Sequence, residues 1–159
     1  MRHALAALLL LSAPAAVGCS PRLIPGTEIK DTPDSHQILD VVGAYQKALE
    51  RRDIDKIVRL TSPTFFETSG TADTKDDYDR AGLETKLRTW LEKTRSVRVN
   101  DFTVKTITVE GDSAKVQYFF DVSYQIVGPD NVPQWKHDSD TKEMMLKREA
   151  GMWRITGGI

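Results

Sequence analysis

Cysteine is nearly missing from this sequence. Cys19 is the one thiol in 159 residues, so no intrachain disulfide can form. An excess of one charge is missing too. Lys and Arg number 22 against 23 for Asp and Glu, a net charge of -1. That balance gives no electrostatic case for nucleic acid or for a membrane contact made by basic residues. No apolar run reaches the roughly 20 residues a spanning helix needs. Gly-rich phosphate loops, nucleophile elbows and metal-ligand spacings do not occur, so no cofactor and no metal are expected. The densest acidic stretch holds Asp73, Asp76, Asp77 and Asp79. It departs from a calcium loop because Lys75 takes the third position and Tyr78 the glycine position. It reads as a solvated loop.

What is present suits one globular domain: 40% apolar and 28% charged residues. The organising stretch is Ser113–Val127. Ala114, Val116, Tyr118, Phe120, Val122, Tyr124 and Ile126 fall on every second residue, with mostly polar residues between. Side chains on a strand alternate faces, so this is one long strand with an apolar, aromatic-rich side. It needs neighbours on its edges and apolar cover on its inner face.

Three helices precede it. Thr32, Pro33 and Asp34 open the first with an N-cap hydroxyl, a proline at the first position and a carboxylate at the positive end of the dipole. Ile38, Val41, Val42, Tyr45, Ala48 and Leu49 form its apolar face. Asp53 caps a short second helix with Ile54, Ile57, Val58 and Leu60 inward, and Ser62-Pro63 ends it. A third helix is expected over 80–95, with a stripe of Leu83, Leu87, Trp90 and Leu91. That stripe must face the sheet, which predicts that Trp90 neighbours Tyr118 and Phe120 or lines the same cavity.

Around the organising strand the pattern is a meander. Over 97–110 the apolar parity changes twice, which predicts bulges near Asn100-Asp101 and Lys105-Thr106 and hence a curved sheet. Gly111-Asp112 is a hairpin signal that sets Val109 against Ala114 and Ile107 against Val116. Residues 128–136 read as a long connection, 138–149 as the next strand, and Ala150-Gly151 as a turn that sets Leu146 against Ile155 and Arg148 against Trp153. A first short strand falls vaguely near 64–67.

Two resemblances add to this. The segment YQKALERRDIDKIVRLTSPTFFE resembles the opening of nuclear transport factor 2-like domains, the superfamily of SnoaL-like cyclases and ketosteroid isomerases, through Ala48, Asp53, Pro63, Phe65 and Phe66. The ending LKREAGMWRITGG is similar to the last hairpin of the same superfamily. The resemblance implies an α+β fold over 34–159, three helices packed in the concave face of a curved, mainly antiparallel four-strand meander. The N-terminus resembles something else. A basic start, the apolar run 4–11, small residues and then Ala16-Val17-Gly18-Cys19 resemble the signal peptide and lipobox of bacterial lipoproteins. It implies cleavage after residue 18, acylation of Cys19 and attachment of the protein to the cell envelope through its lipids. Ser20 after the Cys implies the outer membrane, facing the periplasm. Residues 19–33, with two prolines and a glycine before Thr32, read as a flexible tether.

In that superfamily the sheet wraps the helices into a cone that can hold a small ligand. Here the cone would draw on Tyr45, Phe66, Trp90, Tyr118, Phe120, Tyr124 and Trp153, with Glu67 the carboxylate nearest its mouth. Large aromatics also simply fill cores, so a packed interior and an open pocket both stand. Enzymatic members place an Asp, His or Tyr inside. His3 lies in the leader, His36 in a first turn, His137 beside a loop, and Asp40 and Asp121 off the apolar faces. No residue can be named as catalytic. The reading is a lipid-anchored envelope protein whose domain binds a small apolar molecule or a protein without catalysis. The alternative is a SnoaL-like isomerase, cyclase or hydrolase using Glu67 or a tyrosine. A homodimer through the outer sheet face, around Phe119, is a further expectation.

Overall fold

The computed structural model describes residues 22–68, 74–128 and 130–159. Cys19, the lipobox and the first part of the acidic loop lie outside them. The helices are α1 (Pro33–Arg51), α2 (Ile54–Leu60) and α3 (Arg80–Lys93). The strands are β1 (Phe66–Glu67), β2 (Tyr78–Asp79), β3 (Thr94–Glu110), β4 (Ser113–Val127), β5 (Pro133–Glu149) and β6 (Met152–Gly157).

The helix ends are set by the capping residues. Thr32 Oγ1 accepts from the Ser35 N–H at 3.1 Å, Asp53 Oδ1 from Lys56 at 2.9 Å, and Asp79 Oδ1 from Gly82 at 2.9 Å. Each satisfies a donor the helix leaves orphaned. Arg52 closes α1 in the left-handed region at φ 58, and its guanidinium donates to the Arg95 and Leu91 carbonyls. The end of α1 is thereby tied to the start of β3.

The sheet order is β3-β4-β5-β6, every neighbour antiparallel. The predicted pairs Val109 with Ala114, Ile107 with Val116, Leu146 with Ile155 and Arg148 with Trp153 are all present. Register shifts fall at Val99/Asp101 and Val104/Thr106, the two places where the apolar parity changes, and a third at Thr94/Ser96. These bulges bend β3 and let Val97, Phe102, Val104, Ile107 and Val109 all lean inward. The core joins Ile38, Val42, Tyr45 and Ala48 of α1 to Val116 and Tyr118 of β4, Met144 and Leu146 of β5, and Trp153 and Ile155 of β6. Ile38, Val116, Met144 and Ile155 are completely covered, a contribution of about 1.5–3 kcal/mol each.

Three expectations need correction. First, β5 begins at Pro133, so the connection shrinks to 128–132, closed by the Asn131 N–H on the Gly128 carbonyl at 3.0 Å. Proline is tolerated as the first residue of a strand. Residues 133–143 are exposed throughout, so no apolar alternation marks them as strand. Since β6 pairs only with 145–149, residues 133–142 form an open edge among the described residues. Second, residues 22–31 of the expected tether are folded. Pro25-Gly26 makes a turn with Gly26 at φ 78 and the Thr27 N–H on the Ile24 carbonyl, the type II pattern. Leu23 bridges Lys30, Arg22 pairs with Asp31 at 3.0 Å, and Ile29 is 2% exposed. Third, α3 stops at Lys93 and runs directly into β3.

Candidate functional site

The interior of the curved sheet holds a hollow of ≈130 Å³ lined by Tyr45, Leu49, Phe102, Tyr118, Phe120, Val122, Asp138 and Lys142. Each lining residue arrives for a local reason. The helical period of α1 turns Tyr45 and Leu49 the same way. The bulges of β3 bring Phe102 inward, opposite Phe120. Tyr118, Phe120 and Val122 share one face of β4, and the antiparallel register sets Lys142 opposite Tyr118 and Asp138 opposite Val122. Phe102 stacks on Tyr118 at 4.9 Å between ring centroids and meets Tyr45 edge-on at 6.3 Å. Lys142 Nζ stands 5.6 Å over the Phe120 ring. Burial, the largest effect, pushes the Tyr45 and Tyr118 hydroxyls far above their ordinary range, and the repulsion of neighbouring tyrosine and carboxylate charges adds to it. Both hydroxyls therefore stay protonated at neutral pH.

A second recess of ≈360 Å³ adjoins this hollow and shares Lys142 with it; Glu67, Tyr78, Glu143, Gly158 and Ile159 complete it. Residues 157–159 cross here as a strap. Glu67 Oε2 accepts from the Gly158 N–H at 2.6 Å, and the Tyr118 hydroxyl donates to the Gly158 carbonyl at 3.1 Å. Gly158 lies at φ 79, and a Cβ there would stand 1.9 Å from the Glu143 carbonyl oxygen. Only glycine permits the approach. Burial, and next the Glu67 charge, raise the Tyr78 hydroxyl as well.

The structure thus gathers Tyr45, Tyr118 and Phe120 in one hollow and puts Glu67 in the recess beside it. It does not gather the other four. Phe66 is 49% exposed, because adjacent residues of an extended chain face opposite ways and Phe65, at 2%, takes the inside. Trp90 meets Tyr124, at 6.4 Å between rings. Tyr124 lies six residues along β4 from Tyr118, about 20 Å at the usual rise. Trp90 therefore lies toward the other end of β4 from Tyr118, because α3 runs into β3 at Thr94, which pairs with Ile126. Trp153 is buried in the core under the Arg148 guanidinium, 4.7 Å away, where β6 pairs with the end of β5 and not with 138–142. Phe102 and Val122 are readable from parity. Asp138 and Lys142 are not, because both faces of β5 are polar there.

Among the described residues no group of three or more His, Cys, Asp or Glu is placed to hold a metal ion. No helix of the described residues is long and apolar enough to cross a membrane.

No family model matches this sequence, and no curated protein matches it. Solved structures do. A protein from Kribbella flavida aligns with TM-score 0.65 at 15% identity over 79% of this chain and 87% of its own. A ketosteroid isomerase-like protein from Erwinia carotovora atroseptica aligns with TM-score 0.65 at 14% identity over 80% and 94%. A candidate dehydratase of the nuclear transport factor 2-like family from Streptomyces avermitilis aligns with TM-score 0.58 at 16% identity over 80% and 95%. Three helices held in a curved four-strand antiparallel sheet, shared with these proteins along most of their length, give this chain the α+β cone fold of the nuclear transport factor 2-like proteins.

Proposed function

We propose that this protein is anchored to the bacterial envelope by acyl chains on Cys19 and that its cone binds a small, largely apolar molecule without transforming it. One observation carries the binding half: the hollow between Tyr45, Phe102, Tyr118 and Phe120, walled by rings and fringed by a single lysine and a single aspartate. Apolar walls with few oriented polar groups are the usual composition of a ligand site. At ≈130 Å³ the hollow is smaller than the roughly 300–1,000 Å³ of drug-sized sites, so its occupant is small. Binding is favoured over catalysis because the Tyr118 hydroxyl and the Glu67 carboxylate are both engaged by the backbone of Gly158, which leaves neither aimed at an occupant of the hollow. The anchoring half rests on the sequence Ala16-Val17-Gly18-Cys19 after an apolar run. Native mass spectrometry of the protein released from its host's membranes tests the first half and reads any dimer at the same time. A retained mass that disappears in Phe102→Ala supports the reading; bare protein throughout refutes it. Cys19→Ser tests the second half, since the variant must leave the membrane fraction.

A further inference from the structure

We propose that a second hollow, outside the cone, binds the oxyanion of a small organic phosphate or carboxylate. It measures ≈420 Å³ and lies between the end of α2, the start of α3 and the β5–β6 turn. Three guanidiniums line it: Arg59, Arg80 and Arg154. Two of them are held in place by neutral acceptors. Arg80 donates from Nε to Thr61 Oγ1 at 3.1 Å and from Nη2 to the Val58 carbonyl at 3.0 Å. Arg154 donates from Nη1 to the Arg59 carbonyl. Arginines elsewhere on the fold are treated differently. Arg88 pairs with Asp55 at 3.0 Å and Glu84 at 2.6 Å, and Arg148 with Asp34 at 2.6 Å. Among the described residues none of the three arginines of the hollow is ion-paired.

The single carboxylate of the hollow, Glu149, accepts from the Ser62 hydroxyl at 2.6 Å. Three like charges around one negative charge repel one another, and an anion between them removes that cost. A guanidinium has five N–H donors, of which Arg80 spends two and Arg154 one, so free forks remain for the paired oxygens of a phosphate or carboxylate. Pro63 and Met152, the latter 53% exposed, add an apolar wall, which points to an anion carrying an apolar body over a bare inorganic ion. The volume falls within the range of small-molecule sites. The site is independent of the cone: on β6, Trp153 and Ile155 are buried while Met152 is exposed and Arg154 half-exposed.

Calorimetric titration of the full chain at low salt, with phenyl phosphate and separately with benzoate, tests this. Saturable binding of either probe is expected, weakened about tenfold or more in Arg154→Met and in Arg59→Met. The Arg59 side chain ties no other element of the fold among the described residues, so it keeps the test valid if Arg154→Met unfolds. Arg88→Met, whose charge is already paired, must bind as the parent does. Preference for phenyl phosphate identifies a phosphate ligand, and equal or better binding of benzoate a carboxylate. Absence of saturable binding of both probes, or an equal loss in Arg88→Met, overturns the proposal. Cone occupancy by native mass spectrometry is unaffected in all three variants, which separates this test from that of the cone.

Discussion

Substituting Gly158 by alanine tests the strap at 157–159 directly. Two costs combine there. The left-handed φ of 79 disfavours any residue with a Cβ by about 1–2 kcal/mol. The new Cβ would also start 1.9 Å from the Glu143 carbonyl oxygen, a backbone atom that cannot rotate away. The strap must retreat by about an ångström, which stretches both of its clamps out of hydrogen-bond range. Losing the Glu67 carboxylate bond costs about 1.5–3 kcal/mol and losing the Tyr118 bond about 0.5–1.5 kcal/mol. The strap can undock and so escape the strain itself, which leaves the loss of the two bonds, about 2–4.5 kcal/mol. Gly151 supplies the control. It lies at the same φ of 79, but a methyl added there meets nothing within 4 Å, so Gly151→Ala bears the conformational cost alone. Urea unfolding reads both variants as shifts of the midpoint at constant slope. The expected order is Gly158→Ala well below Gly151→Ala, and the Gly158 variant should also gain hydrogen exchange at its own and neighbouring amides. Equal midpoints for the two variants would refute the clamp.

Three further outcomes follow from the same geometry. Tyr118→Phe keeps the stack on Phe102 and loses only the bond to the Gly158 carbonyl, so urea unfolding should show a loss of about 0.5–1.5 kcal/mol. Ile29→Ala should cost about 2–5 kcal/mol if residues 22–31 are part of the domain, and a neutral effect in thermal unfolding would return that stretch to the status of a tether. Asp121 accepts from the Asn100 amide at 2.7 Å and contacts His137 at 2.9 Å, and these, Asn100 foremost, hold its carboxyl below the usual range. Its stabilisation is present above the unfolded pKa of about 4 and lost as pH falls through the lower folded value. Asp121→Asn should flatten stability against pH below about pH 4, read by urea unfolding over an acid pH series.

Legibility in the sequence divides along physical lines. Where one face of an element is buried, the residues say so. The period of α1, the alternation of β4 and the parity changes of β3 at Asn100 and Lys105 all carry into the structure, because burial on one side enforces a pattern. Turn chemistry is equally readable at Gly111 and Gly151. Where both faces are wet, the pattern vanishes, and 133–136 reads as a loop although it pairs residue by residue with β4. The hollow is half legible for the same reason. Tyr45, Tyr118 and Phe120 announce themselves by parity, whereas Lys142 and Asp138 depend on a register known only once Phe120 is set opposite Asp140. Trp90 misleads because helical period fixes a face and not a position along the strand it covers. Ile29 escapes sequence reasoning because one buried side chain in a turn makes no period at all.

The open edge of β5 has a consequence for how this protein keeps company in a crowded compartment. Among the described residues nothing pairs with the outer edge of 133–142, which offers backbone groups along some ten residues as a ready template for another strand. The inward row opposite Tyr124, Val122, Phe120 and Tyr118 is Lys136, Asp138, Asp140 and Lys142. A foreign strand that extended the sheet would lay its own side chains beside these charges and bury them in part. The edge is thus defended by the same lysine and aspartate that fringe the hollow. Exchanging Lys142 for an apolar residue to enlarge that hollow would take a guard from the edge, and clumping between molecules would accompany any gain in ligand.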